Sequence, residues 1–251
     1  MRARLPVHRA VRSATGRAGE DAERGTAEPP RNLGASASAI RAGLLTSAAV
    51  RRINHVSLSR LQSYVDAILA IAATLLILNV TVAGGGSLSH SLVHAWPSYA
   101  AYAVSFLTIG VIWINHHAIL RLIEEPDPLF VIQNLMLLLF VAFLPFPTHV
   151  LADALQSGHG AAAAAVFYGI SATLMAVSFN ALWIYASHGG RLLRTDAPER
   201  VVAGITRSFR PGIPLYTAAT VVGLFSAWAS AGLYAAITLF YVISGSTFSR
   251  E

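Results

Sequence analysis

Long apolar runs recur along this chain and alternate with short polar segments. A helical run of about twenty apolar residues is long enough to cross a lipid bilayer. The last two runs join near Trp228, and we interpret them as a tight helical hairpin. Pro145 and Pro147 predict an end or a kink late in the third run. The pattern predicts an all-α integral membrane protein whose transmembrane domain covers residues 56–247, with six helices at about 61–83, 95–117, 129–151, 161–187, 213–227 and 229–245.

Composition agrees with a membrane location, since 55% of the residues are hydrophobic and only 12% are charged. All 18 basic residues are arginine, and the loops after the first, third and fifth runs contain none. Because cytoplasmic loops are enriched in basic residues, both termini are predicted to be cytoplasmic, in a multi-pass protein of the cell (plasma) membrane. The net charge of +6 then reflects topology and contact with anionic lipid, so no nucleic-acid partner is expected.

Residues 1–55 differ from the rest of the chain, being rich in Arg, Ala, Gly, Ser and Pro. This composition predicts a disordered cytoplasmic tail. The chain has no cysteine, which excludes disulfides and thiolate metal sites. No metal site is predicted, because the adjacent His116 and His117 diverge by about 100° on a helix and cannot both face one ion.

A polar layer is predicted near the cytoplasmic face. Asp66 lies within the first run, and a carboxylate at that depth requires partners or a function. The predicted topology brings the start of the first run, the end of the second and the start of the third to one level. We therefore predict a hydrogen-bonded network around Asp66, with Arg60 and either His116 or His117 as its partners. Its predicted members are Arg60, Asp66, Trp113, Asn115, His116 and Asn134.

The first run also carries an apolar stripe. At about 100° per residue, Ile71, Thr74, Leu75 and Leu78 fall on one side of a helix, well over a quarter turn from Asp66. Such a stripe either packs against other helices or lipid, or lines a central axis.

Three segments of the chain read, in order, SYVDAILAIAATLLILNV, IGVIWINHHAIL and QNLMLLLFVAFLPFPTHVLAD. Together they resemble a known family, the transmembrane protein 175 family of lysosomal and prokaryotic potassium channels. The family's first helix opens with Arg-x-x-x-Phe-Ser-Asp, its second ends in Trp-x-Asn-His, and its third has an Asn-Leu start and a Pro-rich end. Here Tyr64 and Val65 replace the Phe and the Ser, so one hydroxyl of the motif is missing.

The resemblance implies roles for individual residues. Ile71 matches the narrowest ring of the pore, Leu75 and Leu78 match further pore-facing positions, and Thr74 matches a hydroxyl position associated with cation preference. The polar partners of the motif match Arg60, Asp66, Trp113, Asn115, His116 and Asn134.

The resemblance also implies the assembly and the activity. A chain with one six-helix repeat is expected to form a homotetramer that conducts potassium passively through a hydrophobic constriction, without a re-entrant carbonyl filter. Monovalent cations and the lipid bilayer are the expected partners, and no cofactor is expected besides permeant K⁺. The alternative is a proton-coupled secondary transporter, or a proton leak pathway, that uses Asp66 and His116. An enzyme is not predicted, since no paired carboxylates, His-Glu-x-x-His motif or Gly-x-Ser-x-Gly motif occur.

Overall fold

The structure is a computed structural model that describes residues 56–80 and 87–248, with the side chains of residue 79 and residues 244–248 left aside. The predicted tail, residues 1–55, and the end of the first predicted helix, residues 81–83, lie outside the described residues. Within them, one isolated β-bridge accompanies a helical chain, which confirms the all-α class. The helices are α1 Leu58–Leu75, α2 Leu88–His94, α3 Trp96–Leu122, α4 Pro128–Phe143, α5 Pro145–Ser157, α6 Ala161–Ser187, α7 Glu199–Phe209, α8 Gly212–Gly223 and α9 Ala227–Phe248, with short 3-10 segments at Leu76–Asn79 and His188–Gly190.

One side of helix α1 is buried and the other is exposed, although most of its residues are apolar. The hydroxyl of Ser57 caps its start by accepting a hydrogen bond from the Arg60 backbone N–H at 3.4 Å. Side chains at every third or fourth position are buried and pack against α3 and α4. These buried positions are Leu61, Val65, Leu69, Ala72 and, in the following 3-10 segment, Leu76.

The predicted third helix is two helices in the structure, α4 and α5, which are interrupted at Leu144. Asp127 caps the start of α4, where its Oδ1 accepts from the Phe130 N–H at 2.8 Å. Helix α4 ends at Phe143, and α5 begins at Pro145, whose ring removes the N–H that a continuous helix would use. The prediction of a proline-induced end or kink is confirmed.

The remaining helices pack around α6, which contacts α4, α5 and α8, while α9 packs against α8 and α3. Four segments are long and apolar enough to cross a membrane, at Leu58–Leu78, Trp96–Leu122, Pro128–Ser157 and Ala161–Gly190, and Ala227–Ile243 is a shorter apolar helix. The turn between α8 and α9 lies at residues 224–226, so Trp228 belongs to α9 rather than to the turn.

Two helices formed where loops were predicted. Helix α2 lies in the predicted loop after the first apolar run, and α7 lies in the arginine-rich segment after α6. Both are short. Because α7 is polar on one side, a search for long apolar runs misses it, although Ile205 and Phe209 on its other side are buried.

Candidate functional site

One side of α1 is exposed and has no packing partner among the described residues. Ile71 is 55% exposed and Leu78 is 72% exposed, whereas the opposite side of the helix is almost fully buried. The exposed positions follow helical spacing and form a continuous line, which we call the α1 stripe: Arg60, Tyr64, Ala67, Ile71, Thr74, Leu75 and Leu78. The structure thus places all four residues of the predicted constriction on one exposed surface.

The α1 stripe is apolar through its middle except for Thr74. The Thr74 hydroxyl donates to the Ile71 backbone carbonyl at 2.8 Å, a bond within the same helix. Its proton is therefore occupied, and the lone pairs of its oxygen remain on the exposed side. The stripe consequently presents one oxygen acceptor amid aliphatic side chains.

A seam of two hydrogen bonds joins α1 to α3. The Trp113 indole N–H donates to Asp66 Oδ1 at 2.9 Å. One turn away, Gln62 Nε2 and His117 Nδ1 are 3.0 Å apart, and the His117 ring lies 6.2 Å from the Trp113 ring. Gln62 was not among the predicted site residues. Its spacing was informative. Gln62 and Asp66 are four residues apart on α1, and Trp113 and His117 are four residues apart on α3, so each residue of one pair can face a residue of the other.

A second, more deeply buried pair joins α3 to α4. His116 Nε2 and Asn134 Oδ1 are 2.6 Å apart, and both side chains are buried. Asn134 Nδ2 donates to the Phe130 carbonyl at 2.7 Å, which leaves Oδ1 as the acceptor. His116 therefore donates from Nε2 in this arrangement.

The structure brings the predicted polar residues into separate pairs rather than into one network. Among the described residues no ion pair links Arg60 to Asp66, and the Arg60 side chain is exposed on the α1 stripe. The reason is geometric, because six residues on a helix rotate the side chain by about 120° from its predicted partner. The predicted pairing of Asp66 with a histidine is likewise replaced by its bond to Trp113.

Two asparagines bond within their own helices, and one of them, Asn115, was predicted to belong to the Asp66 network. Asn115 Nδ2 donates to the Val111 carbonyl of its own helix at 2.9 Å, on the side of α3 away from Asp66. Asn180 on α6 likewise donates to the Ala176 carbonyl of its own helix at 2.9 Å. Both side chains line a cavity behind α3.

A further cluster that the sequence did not reveal joins the start of α4 to the end of α6. The Tyr185 hydroxyl donates to the Asp127 carboxylate, and Arg191 Nη2 lies 3.7 Å from Asp127 Oδ2. The Arg191 guanidinium also lies 4.8 Å from the centre of the Tyr185 ring. These partners are distant in sequence, so no local spacing could indicate them.

Backbone hydrogen bonds hold the same two loops together. Arg194 N–H donates to the Leu122 carbonyl at 2.8 Å, and Glu124 N–H donates to the Leu192 carbonyl at 2.9 Å. In the loop after α6, the Arg194 guanidinium lowers the pKa of the Asp196 carboxyl through their hydrogen bonds and charge attraction. The loops after α3 and α6 therefore lie at the same end of the helices.

These features define a class: an all-helical, multi-pass membrane protein in which α1 packs one side into the chain and leaves a largely apolar side exposed. Comparisons with known proteins identify the family. The sequence model described as "Endosomal/lysosomal potassium channel TMEM175" matches residues 60–145. A potassium channel from Chamaesiphon minutus is 36% identical over 189 residues, which are 73% of this chain and 93% of the relative. A potassium channel from Streptomyces collinus is 42% identical over 144 residues, 55% of this chain and 70% of the relative.

Structure and more distant relatives agree. The crystal structure of a lysosomal potassium-selective channel TMEM175 homologue from Chamaesiphon minutus matches with a TM-score of 0.68 and 33% identity, over 75% of this chain and 97% of that one. The endosomal/lysosomal proton channel TMEM175 of Gallus gallus is 30% identical over 115 residues, 41% of this chain and 23% of the relative. The chain belongs to the TMEM175 family, a family of ion channels rather than enzymes, and the resemblance found in the sequence is confirmed.

Proposed function

We propose that this protein is a potassium-permeable cation channel in which α1 stripes from several copies line a central pore. The observation that carries the proposal is the exposure of Ile71, Thr74, Leu75 and Leu78 on a helix whose other side is packed into the chain. One helix face cannot enclose a pathway alone. A homotetramer brings four such faces around one axis and removes their apolar side chains from water or lipid.

Conduction in this proposal is passive. Ile71 forms the narrowest ring, and Leu75 and Leu78 extend an apolar neck that dewets when it narrows and admits a partly dehydrated ion when it widens. The Thr74 oxygen replaces part of the hydration shell of the ion. K⁺ is the proposed main ion because the bacterial relatives are named potassium channels. The chain has no TVGYG filter sequence, so selection against Na⁺ is expected to be moderate.

The proposed topology has six crossings, made by α1, α3, the α4–α5 pair, α6, α8 and α9, with both termini in the cytoplasm of a cell whose plasma membrane holds the channel. Arg121, at the end of α3, and the arginines that follow α6 support it, since backbone bonds hold those two loops at one end. Arginine at one end of the helices follows the positive-inside rule.

Substitution at the proposed narrowest ring is the direct test. We expect Ile71→Asn to raise K⁺ conductance several-fold and to weaken the preference for K⁺ over Na⁺, because an amide keeps the neck hydrated. Channel recordings in planar bilayers with ion substitution measure both quantities. Ile170→Asn on α6 is the matched control, with a similar exposed isoleucine away from α1. Unchanged currents in an assembled Ile71→Asn channel would reject the pore assignment.

A proton pathway through Asp66 and His116 is the second candidate. Asp66 lies at the α1–α3 contact and His116 lies at the α3–α4 contact, and animal relatives are named proton channels. Asp66→Asn separates the two candidates, because the amide oxygen still accepts from Trp113 but the side chain no longer exchanges a proton. In liposomes loaded with a pH-sensitive dye, unchanged K⁺ flux with loss of proton flux supports a proton relay. Retention of both fluxes supports the pore alone.

A further inference from the structure

A cavity lies on the side of α3 opposite to the α1 seam, between α3, α6, α8 and α9, and its volume is about 70 Å³. A buried water needs about 10–15 Å³ of such space, so the cavity has room for several waters or for a small organic group. Its apolar wall includes Met175, Phe179 and Phe209. Its polar lining consists of Thr108, Asn115, Asn180, Tyr216, Thr238 and Tyr241.

One of these polar groups has no hydrogen-bond partner among the described residues. The Tyr241 side chain is 9% exposed, and its hydroxyl is buried without a hydrogen bond within the described part of the chain. A buried hydroxyl left unpaired is costly, so a group that binds here gains a hydrogen bond that the protein does not supply itself. Gly212 keeps space beside this hydroxyl, since a Cβ at that position would lie 3.1 Å from the Tyr241 oxygen.

The two asparagines add acceptors. Asn115 and Asn180 each donate Nδ2 to a carbonyl of their own helix, which leaves each Oδ1 able to accept from a molecule in the cavity. The residues that line the cavity include no charged side chain. A charged ligand would be desolvated there without a counter-charge, so the lining selects a neutral molecule.

We propose that this cavity is a binding site for a small neutral amphipathic molecule with a hydroxyl head group, such as a phenol or an alcohol. The hydroxyl of the ligand pairs with Tyr241 and with an asparagine oxygen, and its apolar part packs against Met175 and Phe179. This assignment does not depend on ion conduction, since the cavity lies within one chain and away from the α1 stripe.

Phenol and toluene form an isosteric pair that tests the hydroxyl requirement. Using the full-length protein in detergent, we expect phenol to bind more tightly than toluene, as measured by ligand-observed NMR and by the shift in melting temperature. Tyr241→Phe should weaken phenol binding by up to about tenfold, the loss of roughly one hydrogen bond, and leave toluene binding no weaker.

A second set of variants tests the site by filling the cavity with a larger side chain. Ala176 lines the cavity on α6, and Ala181 is exposed on the same helix. Ala176→Leu should reduce phenol binding, and Ala181→Leu should not. If phenol and toluene bind equally, or if phenol binding is the same in both alanine variants and in Tyr241→Phe, the binding is partition into the micelle and the proposed site is wrong. Tyr241→Phe remains informative even if Ala176→Leu does not fold.

Discussion

At the residue scale, the hydrogen-bond partner of Asp66 is Trp113 on α3, and not the predicted Arg60 on its own helix. Its carboxylate accepts the Trp113 N–H at 2.9 Å, which ties α1 to α3 at the level of the predicted polar layer. A hydrogen bond to an ionised group contributes more than one between neutral groups. This hydrogen bond adds to the apolar packing that holds α1 against α3 and α4.

Removing the donor should loosen the seam. We expect Trp113→Phe to lower the free energy of unfolding by about 1–2 kcal/mol, the lower part of the range for a charged partner, because Trp113 is 48% exposed. Denaturation in mild detergent measures the change. Trp228→Phe is the matched control, since Trp228 is also 48% exposed and its ring stacks on Trp96, while its indole has no carboxylate partner among the described residues. Equal losses in the two variants would show that the bond to Asp66 contributes nothing.

The buried His116–Asn134 pair allows a double-mutant cycle. His116→Phe and Asn134→Leu each leave the other polar group without its partner, at a cost of about 1–3 kcal/mol. We expect the double variant to lose less stability than the sum of the single variants, by about 1 kcal/mol or more. Strictly additive losses, measured by the same unfolding experiment, would argue against direct coupling.

The residue scale also shows how far sequence reasoning reached. Depth along each helix was predictable from hydropathy and arginine placement, so Asp66, Trp113, His116 and Asn134 were assigned to one layer. Pairing depends on how each helix is rotated against its neighbours, and hydropathy does not report that rotation. Asp66 therefore bonds to Trp113 rather than to Arg60, and Asn115 faces the cavity.

At the element scale, one glycine allows three helices to pack closely. A Cβ at Gly169 of α6 would lie 2.8 Å from the Thr220 Cβ and closer still to the hydroxyls of Thr220 and Tyr234. These two residues belong to α8 and α9. Close packing of membrane helices commonly depends on small residues at the contact.

Two glycine substitutions should have opposite effects. We expect Gly169→Ala to destabilise the protein by several kcal/mol, because the contacts at α8 and α9 leave no space for a methyl group. Gly232→Ala on α9 meets nothing within 4 Å and should be neutral or stabilise by up to about 1 kcal/mol through helix propensity. Melting temperatures of the two variants measure the difference, and a stable Gly169→Ala protein would contradict the close approach.

Elements differed in how well they could be predicted. Helix α6 begins at Ala161 and ends at Ser187, as its apolar run indicated. The break between α4 and α5 followed from Pro145 and Pro147, whose backbone chemistry is local. Helix α7 was missed because its stability comes from burying Ile205 and Phe209 against other helices, including the ring of Phe179 against Phe209.

At the scale of the whole molecule, the α1 stripe accounts for the proposed assembly. The chain contains no cysteine, so a single introduced cysteine reports contact between copies without further engineering. We expect Ile71→Cys to form a reducible cross-linked dimer on oxidation, because four narrowest-ring residues meet near one axis. Ile170→Cys, exposed on α6, should remain uncross-linked.

The mass of the assembly gives an independent measurement. Light scattering after size-exclusion chromatography should report a protein mass of four times 26.6 kDa. A monomeric mass, or cross-linking of Ile170→Cys as readily as Ile71→Cys, would contradict the tetramer with a central α1 pore.

Hydropathy, arginine placement and three ordered motifs were sufficient to establish a helical membrane protein of the TMEM175 family, because crossing a bilayer requires long apolar helices and these leave a clear sequence pattern. The packing of the helices against one another decided which side of α1 is exposed, how the polar layer divides into pairs, and where the cavity behind α3 lies. Those features depend on contacts between residues far apart in the chain, and a linear pattern does not record the rotation and spacing of one helix against another.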